Sequence, residues 1–255
     1  MKYTLDTDFS ALNGPKAANW LRNFTDMTEG AFAGRDNQTR MLGNLLVTEM
    51  CAHTLRQGLE EESLPFPTVI QHVLDVLWDC LGGQVMSADT QSFANDLYAC
   101  VLEHEVGEDL TDAQIAFYKE YFENSEGSTY EWSILVHSAV LLMEWIAIHS
   151  GRLDYDEFEA CEQIDFTGVS EWLDFFPDVC IEFTNTPCPS DGAKDVKKAV
   201  ESVYQTPLFR QLVNQIQCAL KTALVASPDQ YGVLREEYQT HGILPDKYAL
   251  DLIQF

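Results

Sequence analysis

The sequence predicts an all-α protein, and three observations lead to that prediction. Apolar residues recur at the helical period of about 3.6 residues along most of the chain, as at Val69, Ile70, Val73 and Leu77. Residues that cap helix N-termini precede several of these segments, and glycine or proline follows them. Hydrophobic residues make up 46% of the 255 positions, which is enough for one sizeable core. We therefore expect a single domain over residues 1–255, with about 9–11 helices packed as antiparallel hairpins.

In the first half of the chain, caps and breakers define the predicted helices. Asn13 opens the first helix with a proline in its first turn, and Gly58 ends the second. The pair Gly82-Gly83 ends the third, and Asp89 caps the fourth. A capping box at residues 111–114 opens the fifth. The predicted bounds are residues 14–24, 36–57, 68–81, 89–101 and 111–122.

The most apolar segment is the predicted helix over residues 130–149. In a helical projection, Ser133, His137 and Glu144 form one narrow polar stripe, and apolar side chains fill the rest of the surface. A helix that is apolar nearly all round belongs at the centre of a fold. We therefore expect the other helices to pack around it.

The second half is predicted to be helical, with one irregular region. Short acidic helices are expected before Pro177, and Val179–Phe183 is predicted to be a strand or an extended piece. Thr186–Gly192 contains two prolines and a glycine, so we predict a loop there, which is a candidate subdomain boundary. The predicted helices of this half cover residues 155–163, 170–175, 193–205, 207–226, 229–240 and 245–254.

Cysteine usage and the N-terminus predict a cytoplasmic protein. Seven cysteines occur without a C-x-x-C pair, a pattern that fits free thiols in a reducing compartment. Residues 1–6 show no basic region followed by an apolar core, so we expect no signal peptide. The most apolar stretch, Trp132–Met143, has only twelve residues before Glu144 interrupts it. We therefore expect no membrane-spanning helix.

The net charge of −26 is concentrated in one part of the chain. Residues 103–182 contain 20 acidic residues and only two strong bases, Lys119 and Arg152. Such a surface repels phosphate backbones and anionic lipids, which argues against nucleic-acid and membrane partners and favours a cationic protein. A solvated face that keeps an abundant protein soluble is the alternative explanation.

The partner-binding surface is predicted within this acidic region. Residues 172–176 form an aromatic cluster, and aromatic anchors beside charged groups are typical of protein interfaces. Several acidic residues precede that cluster within a short distance along the chain. The predicted contacts are Asp154, Asp156, Glu157, Glu159, Glu162 and Trp172.

Familiar catalytic and metal-binding motifs are absent from the sequence. There is no phosphate-binding loop, hydrolase elbow or H-E-x-x-H zinc motif. Gly151–Glu157 matches the second half of a calcium-binding EF-hand loop. The first and third ligand positions would be Ile146 and Ile148, which have no side-chain oxygen. We therefore predict no catalytic residue, no metal and no cofactor.

A helical metal-dependent enzyme is the second hypothesis, because carboxylates and imidazoles on neighbouring helices can form a dinuclear site. The Glu-x-x-His tetrad of carboxylate-bridged di-iron bundles does not occur in the sequence. Its absence favours polar contacts between helices, such as Glu49 with Arg56 or with His53. The ligands under this hypothesis are Glu49, His53, Glu103, His104, His137 and Glu144.

Three segments of residues 35–103 share a pattern of amphipathic helices with a proline turn. They are Arg40–Leu46, then Leu64–Pro67 leading into Val73–Trp78 and Gly82-Gly83, then Phe93–Cys100. With this pattern, about a quarter of the chain resembles the helical immunity proteins of bacterial polymorphic toxin systems. The resemblance implies a cytosolic protein that binds and neutralises one toxin domain without catalysis. Such proteins are commonly acidic because many toxin domains are basic nucleases.

The leading hypothesis is therefore a cytoplasmic immunity protein that is not an enzyme. Its cognate toxin domain would be cationic and would be steered to the acidic surface, where aromatic anchors become buried and the toxin's active site is covered. A DNA-mimic protein, whose carboxylates would follow phosphate spacing, is the third hypothesis.

Overall fold

The all-α prediction is confirmed by a computed structural model that describes residues 3–84, 87–101, 111–112, 115, 128–150, 161–183 and 200–254. Within these ranges the chain forms α-helices and short 3-10 helices, and no strand. The α-helices are α1 (Gly14–Arg22), α2 (Phe24–Ala31), α3 (Asn37–Glu61), α4 (Thr68–Leu81), α5 (Ala88–Val101), α6 (Thr129–Ser150), α7 (Thr167–Phe183), α8 (Pro207–Val225), α9 (Tyr231–Tyr238) and α10 (Ala249–Ile253). Most of the predicted 111–122 helix and the predicted loop at 186–192 lie outside the described residues.

Two helices occupy the middle of the fold. Helix α6 packs against α3, α4 and α5, which agrees with its predicted central place. The long helix α3 also packs against α4, α8, α9 and α10. The apolar pattern did not mark α3 as equally central because its buried surface includes polar side chains. These are Arg40, Asn44, Thr48, Glu49 and Thr54. Antiparallel hairpin packing stays a prediction.

Helix α3 continues past Gly58, where the sequence predicted its end. Gly58 lies where α10 crosses α3. A Cβ at this position would lie 2.4 Å from the carbonyl oxygen of Ala249 and 2.7 Å from Cγ2 of Ile253. The glycine therefore allows a close helix contact rather than ending the helix. The chain leaves α3 after Glu61, and Ser63 adopts a left-handed φ of 59°.

Three helix ends test the predicted caps. The side chain of Asn13 accepts a hydrogen bond from the Lys16 N–H at 3.2 Å, as expected for the start of α1. Gly83 has a φ of 80° just after α4, which also agrees with the prediction. The predicted cap Asp89 lies inside the first turn of α5 instead. Ser87 caps that helix, because its Oγ accepts a hydrogen bond from the Thr90 N–H at 3.1 Å.

Helix α7 is longer than predicted and contains Pro177. Residues 179–183 are its last turns, so the predicted strand or extended piece is wrong. Proline removes one main-chain hydrogen bond from a helix and normally ends or bends it. Here the buried face continues at helical spacing on both sides of the proline, through Trp172, Phe176 and Val179. Packing of that face outweighs the local cost of the proline.

By length and composition alone, α6 is the one helix in the described part of the chain that could cross a membrane. Its window Thr129–His149 has a mean hydropathy of 1.4. No membrane-spanning helix was expected because Glu144 follows the twelve residues Trp132–Met143, but the window reaches the required hydropathy on both sides of that glutamate. In the structure, 56% of the window is buried inside the protein, against α3, α4 and α5.

The chain that follows the candidate boundary at 186–192 packs directly on α3. Helix α8 lies along α3, and its N-terminus is capped by Thr206, whose Oγ1 accepts from the Phe209 N–H at 3.2 Å. Further along, the Ile243 N–H donates to Oγ1 of Thr54 at 3.1 Å. These contacts join the last third of the chain to the first.

We predict that Gly58→Ala destabilises the protein, because the added methyl group would push α10 away from α3. Overpacking of this kind costs about 1–3 kcal/mol. Gly30→Ala is a matched control, since Gly30 is also helical and a Cβ there meets nothing within 4 Å. The control should be neutral or stabilising by up to about 1 kcal/mol. Urea unfolding measures both, and equal stability of the two variants would contradict the close-contact explanation.

Candidate functional site

The predicted partner contacts fall into three groups. Asp154, Asp156, Glu157 and Glu159 lie outside the described residues. Glu162 is exposed, just before α7. Trp172 is only 1% exposed. The structure therefore describes two of the six predicted contacts, and they have opposite surroundings.

Trp172 is a core residue, so its predicted role as an exposed anchor for a partner needs correction. Its ring packs edge-on against Tyr130 at 5.6 Å and stacks on Phe176 at 5.8 Å. The imidazole of His137 also stacks on the Trp172 ring, with 4.7 Å between the ring centroids. These contacts use the indole surface inside the protein. The sequence cluster 172–176 reflects the buried face of a helix rather than an interface.

The opposite side of α7 is acidic and faces solvent. Glu171, Asp174 and Asp178 are all exposed. At about 100° per residue they lie within about 60° of one another around the helix. Among the described residues, no lysine or arginine forms a salt bridge with any of the three. The helical spacing of these three residues is evident in the sequence, but none of them is among the predicted contacts.

A polar stripe on α3 holds the segment that carries Glu162. The Ile164 N–H donates to Oδ1 of Asn37 at 3.0 Å, and the Asn37 amide donates to the Glu162 carbonyl at 3.4 Å. Two turns further along α3, the Asn44 amide donates to the Asp165 carbonyl at 2.9 Å. Between them, Nε of Arg40 donates to the Ile164 carbonyl. The main chain of residues 162–165 is thus fixed by three side chains of one helix.

Arg40 is the central member of that stripe and is buried to all but 2%. Its guanidinium also forms a salt bridge with Glu29 and donates to the Phe32 carbonyl at 3.4 Å. The Phe166 ring lies 5.1 Å from the guanidinium carbon. The buried charge is therefore matched by one carboxylate, two carbonyls and an aromatic face.

The residues of the metal-enzyme hypothesis are not gathered into one site in the described part of the chain. Glu49 is fully buried and accepts a hydrogen bond from Nε1 of Trp78 at 2.7 Å, rather than from the predicted partners Arg56 or His53. Burial raises the pKa of Glu49. No group of three histidine, cysteine or acidic residues within the described ranges could hold a metal ion. Glu103 and His104 lie outside those ranges.

His53 has a main-chain partner in the C-terminal part of the chain. Its Nδ1 lies 2.8 Å from the Gln239 carbonyl oxygen, and burial lowers the pKa of the imidazole. The contact joins α3 to the segment after α9, which is a structural role.

His137 and Glu144, in contrast, line one cavity of about 210 Å³ between α3, α6 and the start of α7. One part of its wall is apolar and consists of Val136, Val140, Leu141 and Val169. The other part is polar, with Asn44, Thr48, His137, Glu144, Asp165 and Glu171. The two stripe residues of α6 therefore face the same cavity, although within the described residues no three of its acidic and histidine side chains are placed to hold a metal ion.

The imidazole of His137 is held tightly at this cavity. Its Nδ1 lies 2.5 Å from the Ser133 carbonyl oxygen, and its Nε2 lies 3.0 Å from Oε2 of Glu171. A Cβ at position 168 would lie 2.8 Å from Cδ2 of His137, so any side chain there would have to displace the imidazole. The contact of Nδ1 with the Ser133 carbonyl is a hydrogen bond, whereas Nε2 lies within salt-bridge distance of Glu171 but makes no hydrogen bond within the described residues.

Glu144 is the most perturbed acid of the cavity, with 9% of its surface exposed. Burial raises the pKa of its carboxyl to about 8, and the nearby charge of Asp165 adds to the increase. A hydrogen bond from the Asp165 main chain and the charge of Arg40 lower it by less. The group therefore changes charge near neutral pH.

A second, wider cavity of about 630 Å³ lies near the N-terminus. It is bounded by residues that precede and form α1 and α2 and by the end of α8, including Asn19, Asn23, Asp26 and Lys221. The salt bridge between Lys221 and Asp6, at 3.1 Å, crosses this region. Its charges are thus already paired in part.

Comparisons with protein-family models, with curated proteins and with solved structures found no match for this chain.

We predict that Glu144 makes the protein less stable as the pH rises. Its folded-state pKa of about 8 exceeds the ordinary value of 4.5, so the folded protein holds an extra proton between these values. The free energy of unfolding therefore falls through that window, on the order of 3 kcal/mol between about pH 5 and about pH 8. Glu144→Gln should remove most of this decrease, and exposed Glu162→Gln should not. Urea unfolding at several pH values gives the slopes, and identical slopes for all three proteins would contradict the prediction.

We also predict that Arg40→Lys destabilises the protein although the charge is kept. A lysine cannot reproduce the planar fork that reaches Glu29 and two carbonyls, so buried acceptors lose their donors. The expected loss is about 2 kcal/mol or more. Arg35→Lys is the matched control at an exposed position and should change stability by less than about 0.5 kcal/mol. Chemical denaturation with circular dichroism is suited to both, and similar values would show that Arg40 acts through charge alone.

Proposed function

We propose that the protein is an immunity protein that binds and neutralises a cationic toxin domain through an acidic surface. The observation that supports this proposal best is the exposed side of α7, which carries Glu171, Asp174 and Asp178. This helix belongs to the region 103–182, where 20 acidic residues accompany two strong bases. Several carboxylates that project to the same side create the field that attracts a cationic protein.

The rigidity of the acidic surface favours binding. The buried side of α7 packs through Trp172 and Phe176, so the exposed carboxylates are fixed on an ordered helix. Just before this helix, the main chain of Glu162 is bonded to α3 through Asn37. A surface that is ordered before binding loses less conformational entropy on association.

The mechanism that we propose has two steps. Long-range attraction first raises the rate at which the toxin domain meets the acidic surface, and short-range contacts then cover its active site. Glu162 and the exposed side of α7 would contribute the described part of this surface. Asp154, Asp156, Glu157 and Glu159 would extend it. Trp172 would act from inside, by holding α7 in place.

A charge-reversal experiment tests the proposal, with the protein domain encoded by the neighbouring gene as the partner. The variant Glu171→Lys, Asp174→Lys, Asp178→Lys should lower the association rate by about tenfold or more and weaken its salt dependence. Stopped-flow or surface-based kinetics at two salt concentrations would measure both effects. Loss of protection in cells that express the toxin domain would accompany them.

The matched control reverses three other exposed acids, Glu60, Glu61 and Glu62, at the end of α3. It changes the net charge by the same amount at another place on the molecule. If both triple variants slowed association equally, net charge rather than the α7 surface would drive binding. If the neighbouring genes encoded no toxin that this protein neutralises, the immunity function itself would be wrong.

A further inference from the structure

The cavity between α3, α6 and the start of α7 has the features of a small-ligand site. We propose that it binds a primary alkylammonium group, with the ammonium beside the carboxylate of Glu144 and the alkyl chain against the apolar wall. This inference does not depend on the proposed toxin partner. It rests on a buried acid without a cation, a second acid beside it, an apolar wall and sufficient volume.

The buried acid is Glu144, whose side chain lines the cavity and is more than nine-tenths buried. No basic side chain in the described part of the chain forms a salt bridge with it. Its interaction with the main chain of Asp165 leaves most of its acceptor capacity unused. The ionised form of a buried carboxyl is costly unless a cation or several donors compensate it, so a bound ammonium group would stabilise the ionised form of Glu144.

The nearest described cation does not fill this role. The charge of Arg40 acts on Glu144, but the guanidinium itself is bonded to Glu29 and to main-chain carbonyls. Asp165, which lines the same cavity, adds a second negative charge. The charge of Asp165 makes ionisation of Glu144 more costly, and a bound cation would offset that cost.

The other wall of the cavity suits a hydrocarbon chain. Val136 and Val140 project from α6 beside Leu141, and Val169 comes from α7. The volume of about 210 Å³ exceeds the roughly 150 Å³ of an engineered apolar cavity that holds benzene. A straight alkyl chain of about four carbons therefore fits into the cavity, with its ammonium group at the polar end.

The residues at the polar end also determine which kind of charged ligand fits the cavity. Carboxylates at this end repel an organic anion. Within the described residues no three ligating side chains come together for a metal ion. Asn44 and Thr48 add amide and hydroxyl oxygens, which accept hydrogen bonds from an ammonium group. A monovalent organic ammonium matches this combination best.

Calorimetry or NMR titration with n-butylammonium chloride tests the proposal on the full chain near pH 8. We expect a millimolar dissociation constant, because so small a ligand offers few contacts. The neutral n-butanol has nearly the same shape and should bind at least about tenfold more weakly, since it has no charge to pair with Glu144. The amide protons of Asn44 and Gly168 should shift on binding of the amine.

Two variants and one control locate the site. Glu144→Gln keeps the shape of the side chain and should weaken n-butylammonium binding by about tenfold or more. Val140→Phe fills the apolar part without altering any charge and should also weaken binding. Exposed Glu60→Gln removes one charge far from the cavity and should bind the amine like the original protein. Circular dichroism establishes that each variant is folded.

Three results of these titrations would contradict an alkylammonium site. No binding of n-butylammonium, equal binding of n-butanol, or unchanged binding by Glu144→Gln would each overturn the proposal. If Glu144→Gln did not fold, the Val140→Phe variant and the n-butanol comparison would decide alone.

A further ligand identifies the source of the ammonium group. N-acetyl-lysine N-methylamide presents the same alkylammonium on a peptide main chain. Tighter binding of this compound than of n-butylammonium would point to a lysine side chain of another protein. Weaker binding would point to a free amine, and both results support an alkylammonium site.

Discussion

The buried guanidinium of Arg40 is the interaction on which the rest of the structure depends. A charge at that depth is tolerated only if its donors are satisfied, and here they bind Glu29, Phe32 and Ile164. These partners belong to α2, to the turn after α2 and to the segment before α7. Burying one side chain of α3 therefore sets the positions of two other parts of the chain. The start of α7, and with it the acidic surface and the cavity, follows from this arrangement.

The sequence predicted the fold class and most helices because apolar spacing and caps are local signals. It did not predict the ends of helices that tertiary contacts decide. Glycine at position 58 is typical of a helix end, yet here its lack of a side chain allows α10 to cross α3 closely. Pro177 also reads as a stop, yet the apolar face of α7 continues across it. In both cases a contact with a distant part of the chain outweighs a local preference. Local sequence patterns do not show where that distant part lies in the fold.

The residues of the candidate site were likewise predictable only in part. The stripe of His137 and Glu144 on α6 was evident from helical spacing, and both residues line the cavity. Which residues face them across the cavity was not predictable, because Asn44 and Asp165 come from distant parts of the chain. The burial of Trp172 was not predictable for a related reason, because a helical aromatic cluster has the same sequence pattern whether it faces a partner or the core. Only the packing of α7 on its neighbours distinguishes the two.

The contact between Arg40 and Ile164 also constrains the order in which the chain can fold. The two residues are 124 positions apart, so the loop between them must close before the guanidinium finds this carbonyl. During synthesis, α3 leaves the ribosome long before its partner segment does. Until then a helix that is central in the finished protein carries a charge it cannot bury. Long-range closure of this kind gives an all-α chain some of the slow, nonlocal folding character more often found in β proteins.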